Sequence, residues 1–583
     1  MKKDFVELTE DVSSSPLYSK DLAPTPEEER TWKTMDLAAI WVGMAVCIPT
    51  YLLASYMITV GLMWYEALAI IGIANLVVSL PMVLNGHAGV KYGIPFPVLG
   101  RASFGLLGVH IPSIARGLVA CGWFGIQTWI GGLAIYAIWQ TLMGAEVVGE
   151  LTPGKFICFG VFWVINIYFI WKGTESIRFL EKFSAPILII MGIFLIIWGA
   201  SKAGSFSSVL DQSAQLSKPT AVIRTVNDAV MLDLNPLKDV DGNIKAQEFQ
   251  VAIRQPDTGE QAVYKALSWR PLGPFNNVDI TTLASLNGAD LANLENPIKV
   301  TFRMSDPLKP DAYVTSSQIT AVKESAGGSK LRLYLFWLTA MVGFWATMSI
   351  SIADITRFAR TQKDQVTGQL LGLPGSMVLY SFVGVFVTCA ALVNFGDILV
   401  GEDAPWDPVT LISRFNNPTV VVVAQFFMLI ATLSTNIAAN VIAPANAFAN
   451  ASPRLISFRM GGVITGLLGI AIMPWWLLGQ ISNLLIFVSG LLGPVLGILV
   501  ADYYLLRKTN LDLPELFNPR GIYRYVGGFN FNALIAFVIG VNAAYIGNWF
   551  EPLAIFYELS WFTGFFVSVA IYLTLMKNSK QTS

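Results

Sequence analysis

Charged residues are scarce in this chain of 583 residues, and their scarcity limits what the protein can be. Asp, Glu, Lys and Arg make up 13% of the sequence, whereas soluble globular proteins carry about 25%. The acidic and basic groups nearly cancel, to a formal net charge of −1, so no excess of positive charge favours a nucleic-acid partner. We therefore expect neither a soluble globular protein nor one that binds nucleic acid.

Side chains and motifs that perform enzyme chemistry are also scarce. The sequence has two histidines and no Walker A motif, no HExxH, no dinucleotide-binding glycine pattern and no Ser/His/Asp arrangement. The four cysteines lie in apolar segments without metal-ligand spacing, and we interpret them as small packing residues: Cys47, Cys121, Cys158 and Cys389. We expect no enzyme, no cofactor and no ATP-driven pump, and the polar, acidic first 35 residues do not resemble a signal peptide.

Long apolar runs are what the sequence does contain. Hydrophobic residues make up 54% of the chain and its mean hydropathy is +0.57. Many runs exceed the roughly 20 residues that cross a bilayer as a helix. The sequence predicts an all-α polytopic membrane protein with twelve transmembrane helices, near 37–59, 65–85, 110–142, 153–172, 178–202, 332–356, 373–395, 417–449, 460–477, 480–505, 530–549 and 554–576.

The distribution of Lys and Arg predicts the orientation of these spans. Basic residues lie in alternate loops, whereas the opposite loops are acidic or neutral, as at 397–407. By the positive-inside rule, both termini face the cytoplasm of a multi-pass inner-membrane protein. The predicted divisions are a cytoplasmic tail (1–35), helices 1–5 (36–203), an external insert (204–330), helices 6–10 (331–508), a cytoplasmic loop (509–529), helices 11–12 (530–576) and a C-terminal tail (577–583).

The insert at 204–330 is polar and has no membrane span. It contains alternating pieces such as "EFQVAIRQ" and "PIKVTFRM", which are typical of short strands. We expect a small soluble β-rich domain between helices 5 and 6; a long, partly ordered loop is the alternative.

The insert divides the first ten spans into five and five. Two such halves with opposite topology, followed by two further helices, form a known transporter plan in which broken helices hold the substrate at mid-membrane. Pro49 and Gly343 are helix breakers within the first span of each half. The pattern therefore predicts interruptions at both positions.

Three polar or aromatic side chains stand at mid-depth in spans three and six. Trp123 and Gln127 are four residues apart and share one helix face. Trp345 follows Gly343, and its indole could stack on a flat ring. The alternatives are an interfacial aromatic belt for Trp123 and tight helix packing for Trp345.

Span eight carries the polar stretch "ATLSTNIAAN" at 431–440. Its hydroxyls and amides could bind a substrate or an ion, or they could satisfy their own helix and join neighbouring helices. The deep parts of the spans lack charged residues, which favours a neutral substrate and disfavours a proton relay. A small cation could still bind Ser434 and Thr435 together with span-one carbonyls around Gly43 and Val46.

Five motifs strongly resemble the nucleobase–cation symporter-1 family, which includes allantoin, hydantoin, uracil and cytosine permeases. They are "NGHAGVKYGIPFPVLGRASFG", "WFGIQTWIGG", "GFWATMSISIADITRFAR", "ATLSTNIAANVIAPANAF" and "LGPVLGILVADYYLLRK". The resemblance covers essentially the whole chain except the insert. It implies a LeuT-type inverted-repeat fold and import of a small neutral planar cyclic amide coupled to a cation by alternating access.

The resemblance also implies roles for particular residues. Carried over from the family's hydantoin transporter, the substrate-binding residues are Trp123, Gln127, Trp345 and Asn440, with Phe344 in place of a glycine. The sodium ligands implied are Gly43, Val46, Ala431, Ser434 and Thr435; some relatives couple to protons instead.

Two departures from the family pattern leave the substrate open. Phe344 replaces a glycine and Cys47 replaces a glutamine, and both changes alter the size and polarity of the expected pocket. The insert supports a second hypothesis, a membrane receptor or sensor whose external domain binds a ligand or partner.

Overall fold

The computed structural model describes residues 5–145, 151–172, 174–203, 205–211, 214, 220–227, 229–239, 241–255, 263–273, 277–281, 297–307, 309, 311–323, 330–404 and 406–582. Within them, nine helices are long and apolar enough to cross a membrane, and one bent pair of helices adds a tenth span. Two shorter apolar helices, Ile189–Ser201 and Phe458–Ala471, lie within the predicted fifth and ninth spans. The predicted insert is 204–330: residue 204 and residues 324–329 fall outside the described residues, whereas Lys330 is already the first residue of a helix.

The helices follow the predicted spans with three additions. They are α1 (Thr34–Ala45), α2 (Ile48–Thr59), α3 (Trp64–Tyr92), α4 (Phe96–Phe104), α5 (His110–Leu142), α6 (Pro153–Lys172), α7 (Thr174–Ala203), α8 (Phe206–Asp211), α9 (Lys330–Ser351), α10 (Ala353–Thr356), α11 (Gln362–Asn394), α12 (Pro408–Ser413), α13 (Pro418–Asn440), α14 (Ile442–Ala451), α15 (Phe458–Ala471), α16 (Pro474–Leu477), α17 (Ile481–Val500, continued by a π-helix to Leu506), α18 (Phe531–Trp549), α19 (Ala554–Glu558) and α20 (Ser560–Thr582). The additions are α4, α8 and α12, which are too short to cross a membrane; α8 lies at the start of the predicted insert. Phe96–Phe104 is buried throughout.

The predicted interruption of the first span is present. The chain bends by 57° between α1 and α2, and only Val46 and Cys47 separate the two helices. Pro49 stands in the first turn of α2, where its missing N–H costs nothing, but it cannot donate to Ala45, four residues earlier. The proline therefore sets the position of the break.

The predicted interruption at Gly343 is wrong, because Lys330–Ser351 is one continuous helix. The glycine instead allows α9 to approach α17 closely. A Cβ at this position would overlap Ser489 Oγ and would lie 3.0 Å from the Leu485 carbonyl oxygen. Close packing of helices, rather than backbone freedom, accounts for the glycine.

The helical course is interrupted nine residues later, at Ile352. Two buried side chains from other helices satisfy the carbonyl groups just before this point. Asn85 Nδ2 donates to the carbonyl oxygens of Ser349 (2.8 Å) and Ile350 (2.7 Å), and Arg116 Nε donates to that of Thr347 (2.6 Å). These bonds meet the requirement that buried backbone groups be paired.

The helix of the ninth predicted span, α15, ends earlier than predicted. Phe458–Ala471 stops six residues before the expected limit of 477, and Met473 adopts a left-handed conformation with φ 54°. Pro474 follows and begins a separate short helix. A residue before proline is disfavoured in the right-handed helical region, so the chain turns here.

The described part of the insert forms ten strands. They are β1 (Ala221–Val226), β2 (Ala229–Leu234), β3 (Glu248–Arg254), β4 (Tyr264–Ala266), β5 (Arg270–Pro271), β6 (Asn277–Asp279), β7 (Ile298–Ser305), β8 (Tyr313–Thr315), β9 (Ile319–Thr320) and β10 (Val322–Lys323). One sheet has the order β10-β1-β2-β6, with β10 parallel to β1. The other has the order β4-β3-β7-β8, with β5 on β3 and β9 on β7. The two quoted alternating pieces form β3 and β7, which pair antiparallel.

The insert shares a hydrophobic core with the loop that follows α11. Leu399 and Val400 are buried among the apolar side chains of the two sheets. The Leu237 N–H donates to the Leu399 carbonyl (3.1 Å), and the Ser317 N–H donates to Asp403 Oδ1 (2.9 Å). The β-rich segment is therefore attached to the helical part by packing as well as by its two connections.

We predict that Gly343→Ala lowers the thermal stability of the purified protein. The added methyl group must displace Ser489 or α17, and overpacking of this kind costs about 1–3 kcal/mol. Gly375→Ala is the matched control, because a Cβ there meets nothing within 4 Å. Equal melting temperatures for the two variants would contradict the packing role of Gly343.

Candidate functional site

A buried cavity lies where the α1–α2 break faces α5, α9 and α13. Its lining residues come from these elements: Met44, Cys47, Pro49, Trp123, Gln127, Phe344, Trp345, Thr347, Met348, Thr435, Ala439 and Asn440. All five predicted substrate-binding residues are therefore brought together. The cavity volume is ≈ 30 Å³, far below the roughly 150 Å³ of an apolar cavity that binds benzene.

Aromatic rings form one wall of the cavity. The Trp123 and Phe344 centroids are 5.3 Å apart at 80°, and those of Phe344 and Trp345 are 4.9 Å apart at 67°. Trp41 meets Trp345 edge-on at 5.2 Å, and the Trp345 indole N–H points at Met377 Sδ, 3.1 Å away. Phe344 thus lies between the two tryptophans and touches both.

Two amide side chains supply the polar part of the cavity. Gln127 Oε1 is buried without a normal hydrogen-bond partner among the described residues, and the Cys47 thiol beside it is only a weak donor. Asn440 donates its Nδ2 to Asn436 Oδ1 (3.1 Å), and its Oδ1 accepts no bond from the described residues. Each amide therefore keeps an oxygen that can accept a hydrogen bond from a ligand's N–H.

Asn436 holds α13 against the helices behind it. Its Nδ2 lies within hydrogen-bond distance of Asn166 Oδ1 (3.0 Å), Thr128 Oγ1 (3.0 Å) and the Phe124 carbonyl (3.3 Å). Its Oδ1 accepts from Asn440. Asn436 is therefore saturated by protein contacts and orients Asn440 towards the cavity.

The predicted cation ligands begin with the Gly43 carbonyl. In an uninterrupted helix this oxygen would accept from the N–H of Cys47, which instead donates to Ala45 (3.0 Å). The Thr435 hydroxyl donates to Gly43 O at 2.8 Å across the α1–α13 interface. Thr435 and Gly43 therefore meet directly beside the cavity, which Thr435 also lines.

The remaining predicted ligands lie close to this pair along the chain, but the structure shows fewer contacts among them. The Ser434 hydroxyl is 2.7 Å from that of Ser184 on α7, and Ala431 is buried one turn earlier. The Val46 carbonyl accepts no hydrogen bond from the described residues, because Pro49 has no N–H and the Thr50 N–H donates to Cys47. In the described chain, no group of three or more His, Cys, Asp or Glu residues could hold a metal ion.

Arg116 is the main residue near the cavity that sequence reasoning did not place there. It lies near the start of α5 and is only 2% exposed. Its guanidinium donates to the Thr347 carbonyl (2.6 Å) and to Ser351 Oγ (3.2 Å), and it lies 3.3 Å from Met348 Sδ. The available signal was an arginine within an apolar helix, which requires polar partners wherever it is buried. Met44, Thr347, Met348 and Ala439 are further lining residues without a distinctive sequence signal.

The chain matches the family model described as "Permease for cytosine/purines, uracil, thiamine, allantoin" over residues 24–234 and 312–569. It is 32% identical to the "Purine-uracil permease NCS1" of Arabidopsis thaliana, with 90% of this chain and 70% of the relative covered. It is 30% identical to the "Allantoin permease" of Bacillus subtilis, with 97% of this chain and 94% of the relative covered. These relatives are permeases, and nothing among them supports the receptor hypothesis.

Solved structures show the same fold. A closed, bromovinylhydantoin-bound structure of Mhp1, a nucleobase-cation-symport-1 family transporter, gives a TM-score of 0.67 at 21% identity, with 97% of this chain and 96% of that chain covered. A Na⁺-coupled sialic acid symporter gives 0.52 at 12% identity, with 94% and 91% covered. The inverted-repeat fold class predicted from the sequence is confirmed; the count of twelve spans is matched only by including the bent pair and the two shorter helices.

We predict that Asn436→Ala destabilises the protein. The substitution leaves Asn166 Oδ1 and the Asn440 amide without their partner, and unsatisfied buried groups cost about 1–3 kcal/mol each. Thermal unfolding of the purified protein should show a clear loss. Asn542→Ala removes an exposed amide that bonds only its own helix, and it should leave the melting temperature unchanged.

Proposed function

The chain belongs to the family of permeases for cytosine/purines, uracil, thiamine and allantoin, and we propose that it is a symporter that carries one small, neutral, planar cyclic amide together with Na⁺. The substrate class is that of allantoin, uracil or a hydantoin, which are named among its relatives. The direction is import across the plasma membrane, with both termini in the cytoplasm.

The observation that carries this proposal is the composition of the cavity. Trp123, Phe344 and Trp345 supply apolar ring faces, whereas Gln127 and Asn440 each present an amide oxygen. Cyclic amides have flat faces and N–H groups along their edges, so they complement both features. None of the described residues that line the cavity is Asp, Glu, Lys or Arg, which favours a neutral ligand.

The size of the cavity supports alternating access as the mechanism. A volume of ≈ 30 Å³ cannot admit a heterocycle without movement of the lining side chains. Phe344 fills the space between the two tryptophans, so its displacement would open a slot between their rings. Binding is therefore linked to a shift of α9 or of its side chains relative to α5.

Sodium is the proposed coupling ion. Hard cations prefer oxygen ligands, and carbonyl and hydroxyl oxygens of Gly43, Val46, Ala431, Ser434 and Thr435 would provide them without a carboxylate. To bind the ion, the Thr435 hydroxyl oxygen would direct a lone pair towards it. The Thr435 O–H would meanwhile keep donating to the Gly43 carbonyl or would donate to another acceptor. A proton is the alternative ion, and the dependence of uptake on sodium and on pH separates the two.

We predict that Gln127→Ala and Asn440→Ala each weaken substrate binding. Loss of one buried hydrogen bond to a ligand should cost about 1–3 kcal/mol, or about 5- to 150-fold in affinity. A thermal-shift screen of allantoin, uracil, cytosine, hydantoins and purines identifies the ligand, and radiolabelled uptake into cells then measures each variant. Asn542→Ala is the control; uptake by both cavity variants at the wild-type rate, with unchanged affinity, would refute the proposed pocket.

We predict that Thr435→Val raises the sodium concentration for half-maximal uptake about tenfold, the equivalent of about 1.4 kcal/mol. The isosteric change removes the oxygen that contacts Gly43 and borders the cavity. Thr432→Val is the control, because it makes the same substitution on the same helix. Among the described residues, the Thr432 hydroxyl bonds only the Met428 carbonyl of its own helix. If uptake does not depend on the sodium concentration but does depend on the pH gradient, the coupling ion is H⁺ and not Na⁺.

A further inference from the structure

A second and larger cavity, of ≈ 830 Å³, lies at the face of the helical part where the N-terminal segment packs. Its walls come from four parts of the chain: the N-terminal segment, the end of α6, the turn after α10 and the start of α15. The lining residues are Tyr18, Lys20, Asp21, Ala23, Pro24, Thr25, Pro26, Glu29, Lys172, Arg357, Phe358, Ser457, Phe458 and Arg459. None of them lines the cavity assigned above to the substrate.

The N-terminal wall is held in place by backbone contacts rather than by chance proximity. The Thr25 N–H donates to the Gly93 carbonyl (2.8 Å), and the Trp32 N–H donates to that of Phe358 (2.9 Å). Asp21 Oδ2 accepts the Phe458 N–H (2.9 Å), which ties the segment to the first turn of α15. The cavity is therefore part of the fold.

Positive charge exceeds negative charge in this cavity. Four cationic side chains line it: Lys20, Lys172, Arg357 and Arg459. The acidic side chains are Asp21 and Glu29, and Asp21 already accepts the Phe458 N–H. Within the described residues, neither Lys20 nor Arg459 makes an ion pair, so neither positive charge is neutralised by a direct contact with a carboxylate.

Arg357 provides a donor that the protein does not satisfy. Its Nη1 donates to the Asp21 carbonyl (3.1 Å), but its Nε is buried and has no hydrogen-bond partner in the described structure. An unsatisfied donor on a charged group carries a larger penalty than a neutral one. Because this nitrogen is shielded from solvent, Arg357 contributes its positive charge to the cavity wall rather than this donor.

The cavity lies at the level where lipid headgroups would meet the protein. The apolar helix α6 ends at Lys172, and the apolar helix α15 begins at Phe458, so both borders of the cavity mark an end of an apolar helix. Basic pockets at such borders bind phosphate-bearing headgroups. Guanidinium groups match the oxygen geometry of phosphate.

We propose that this cavity is a binding site for a phosphate-bearing anion, supplied either by a lipid headgroup or by a free phosphate compound. The anion would lie among Lys20, Lys172, Arg357 and Arg459. Because its walls join the N-terminal segment, the turn after α10 and the start of α15, a bound anion would stabilise this arrangement of the three. The site is independent of the transported substrate and of the coupling ion.

The test compares the full-length purified protein with Lys20→Gln/Arg459→Gln. One arm titrates inorganic phosphate against chloride at equal ionic strength, and the other adds phosphatidylglycerol or phosphatidylcholine in mixed micelles; the readout is the melting temperature. Each cation near an anionic surface contributes about fivefold to affinity, so the double variant should bind about 25-fold more weakly. Arg454→Gln is the control. Arg454 is an exposed arginine just before α15 that does not line the cavity, so this variant should behave as wild type.

Stabilisation by phosphatidylglycerol alone assigns the site to a lipid headgroup, and stabilisation by phosphate assigns it to a free anion. Equal stabilisation of wild type, the double variant and Arg454→Gln would show a general charge effect and would overturn the proposal. No stabilisation of the wild type in either arm would overturn it too. Should the double variant unfold without ligand, Lys172→Gln provides the same comparison from the helical wall. These outcomes do not depend on transport. If the anion site is refuted, the symporter proposal stands, and if the symporter proposal is refuted, the anion site stands.

Discussion

The break between α1 and α2 is the constraint on which the functional part of this molecule depends. Pro49 cannot donate a hydrogen bond, and the N–H of Cys47 turns to Ala45, so the carbonyls of Gly43 and Val46 leave the helical pattern. Backbone groups in an apolar interior need partners, because each unsatisfied one costs several kcal/mol. Gly43 finds the Thr435 hydroxyl, and the cavity opens beside the same break. The break that Pro49 imposes thus leaves backbone carbonyl oxygens free of helical hydrogen bonds, and the cavity lies beside it.

Helix α13 contacts both the α1–α2 break and the cavity beside it. Thr435 contacts the freed Gly43 carbonyl, and Asn440, five residues later, lines the cavity. Asn436 stands between them and fixes the helix to α5 and α6 through Thr128 and Asn166. A shift of α1 relative to α13 would therefore alter the Gly43–Thr435 contact while the asparagine network holds α13 still. Substrate and cation affinities would be linked through this single interface, as coupling between two sites requires.

Sequence reasoning located the apolar helices, the α1–α2 break and part of the cavity lining because each of these leaves a local signal. Apolar run length predicts spans, Pro49 predicts a break, and family motifs point to Trp123, Gln127 and Asn440. The prediction for Gly343 was wrong because a glycine signals either backbone freedom or close packing, and only the position of Ser489 on α17 distinguishes them. The short helices α4, α8 and α12 were not predicted, because nine, six and six residues are too few to be recognised as membrane spans. The size of the cavity could not be predicted, because it depends on side-chain positions across four helices.

Arg116 shows how a charge can be placed beside a neutral binding site without entering it. A guanidinium removed from water is tolerated only where its donors are met, and here the carbonyl of Thr347 and the hydroxyl of Ser351 meet them. Those acceptors belong to the last turn of α9, whose own helical pattern fails at Ile352, so the arginine and the interruption stabilise each other. Thr347 and Met348 line the cavity while Arg116 contacts both from behind. Arginine keeps its charge in proteins, so it cannot relay a proton, and its field disfavours a cation on the α9 side of the cavity. The proposed cation ligands lie on α1, in the α1–α2 break and on α13, and none of the described lining residues on these elements is an arginine or lysine.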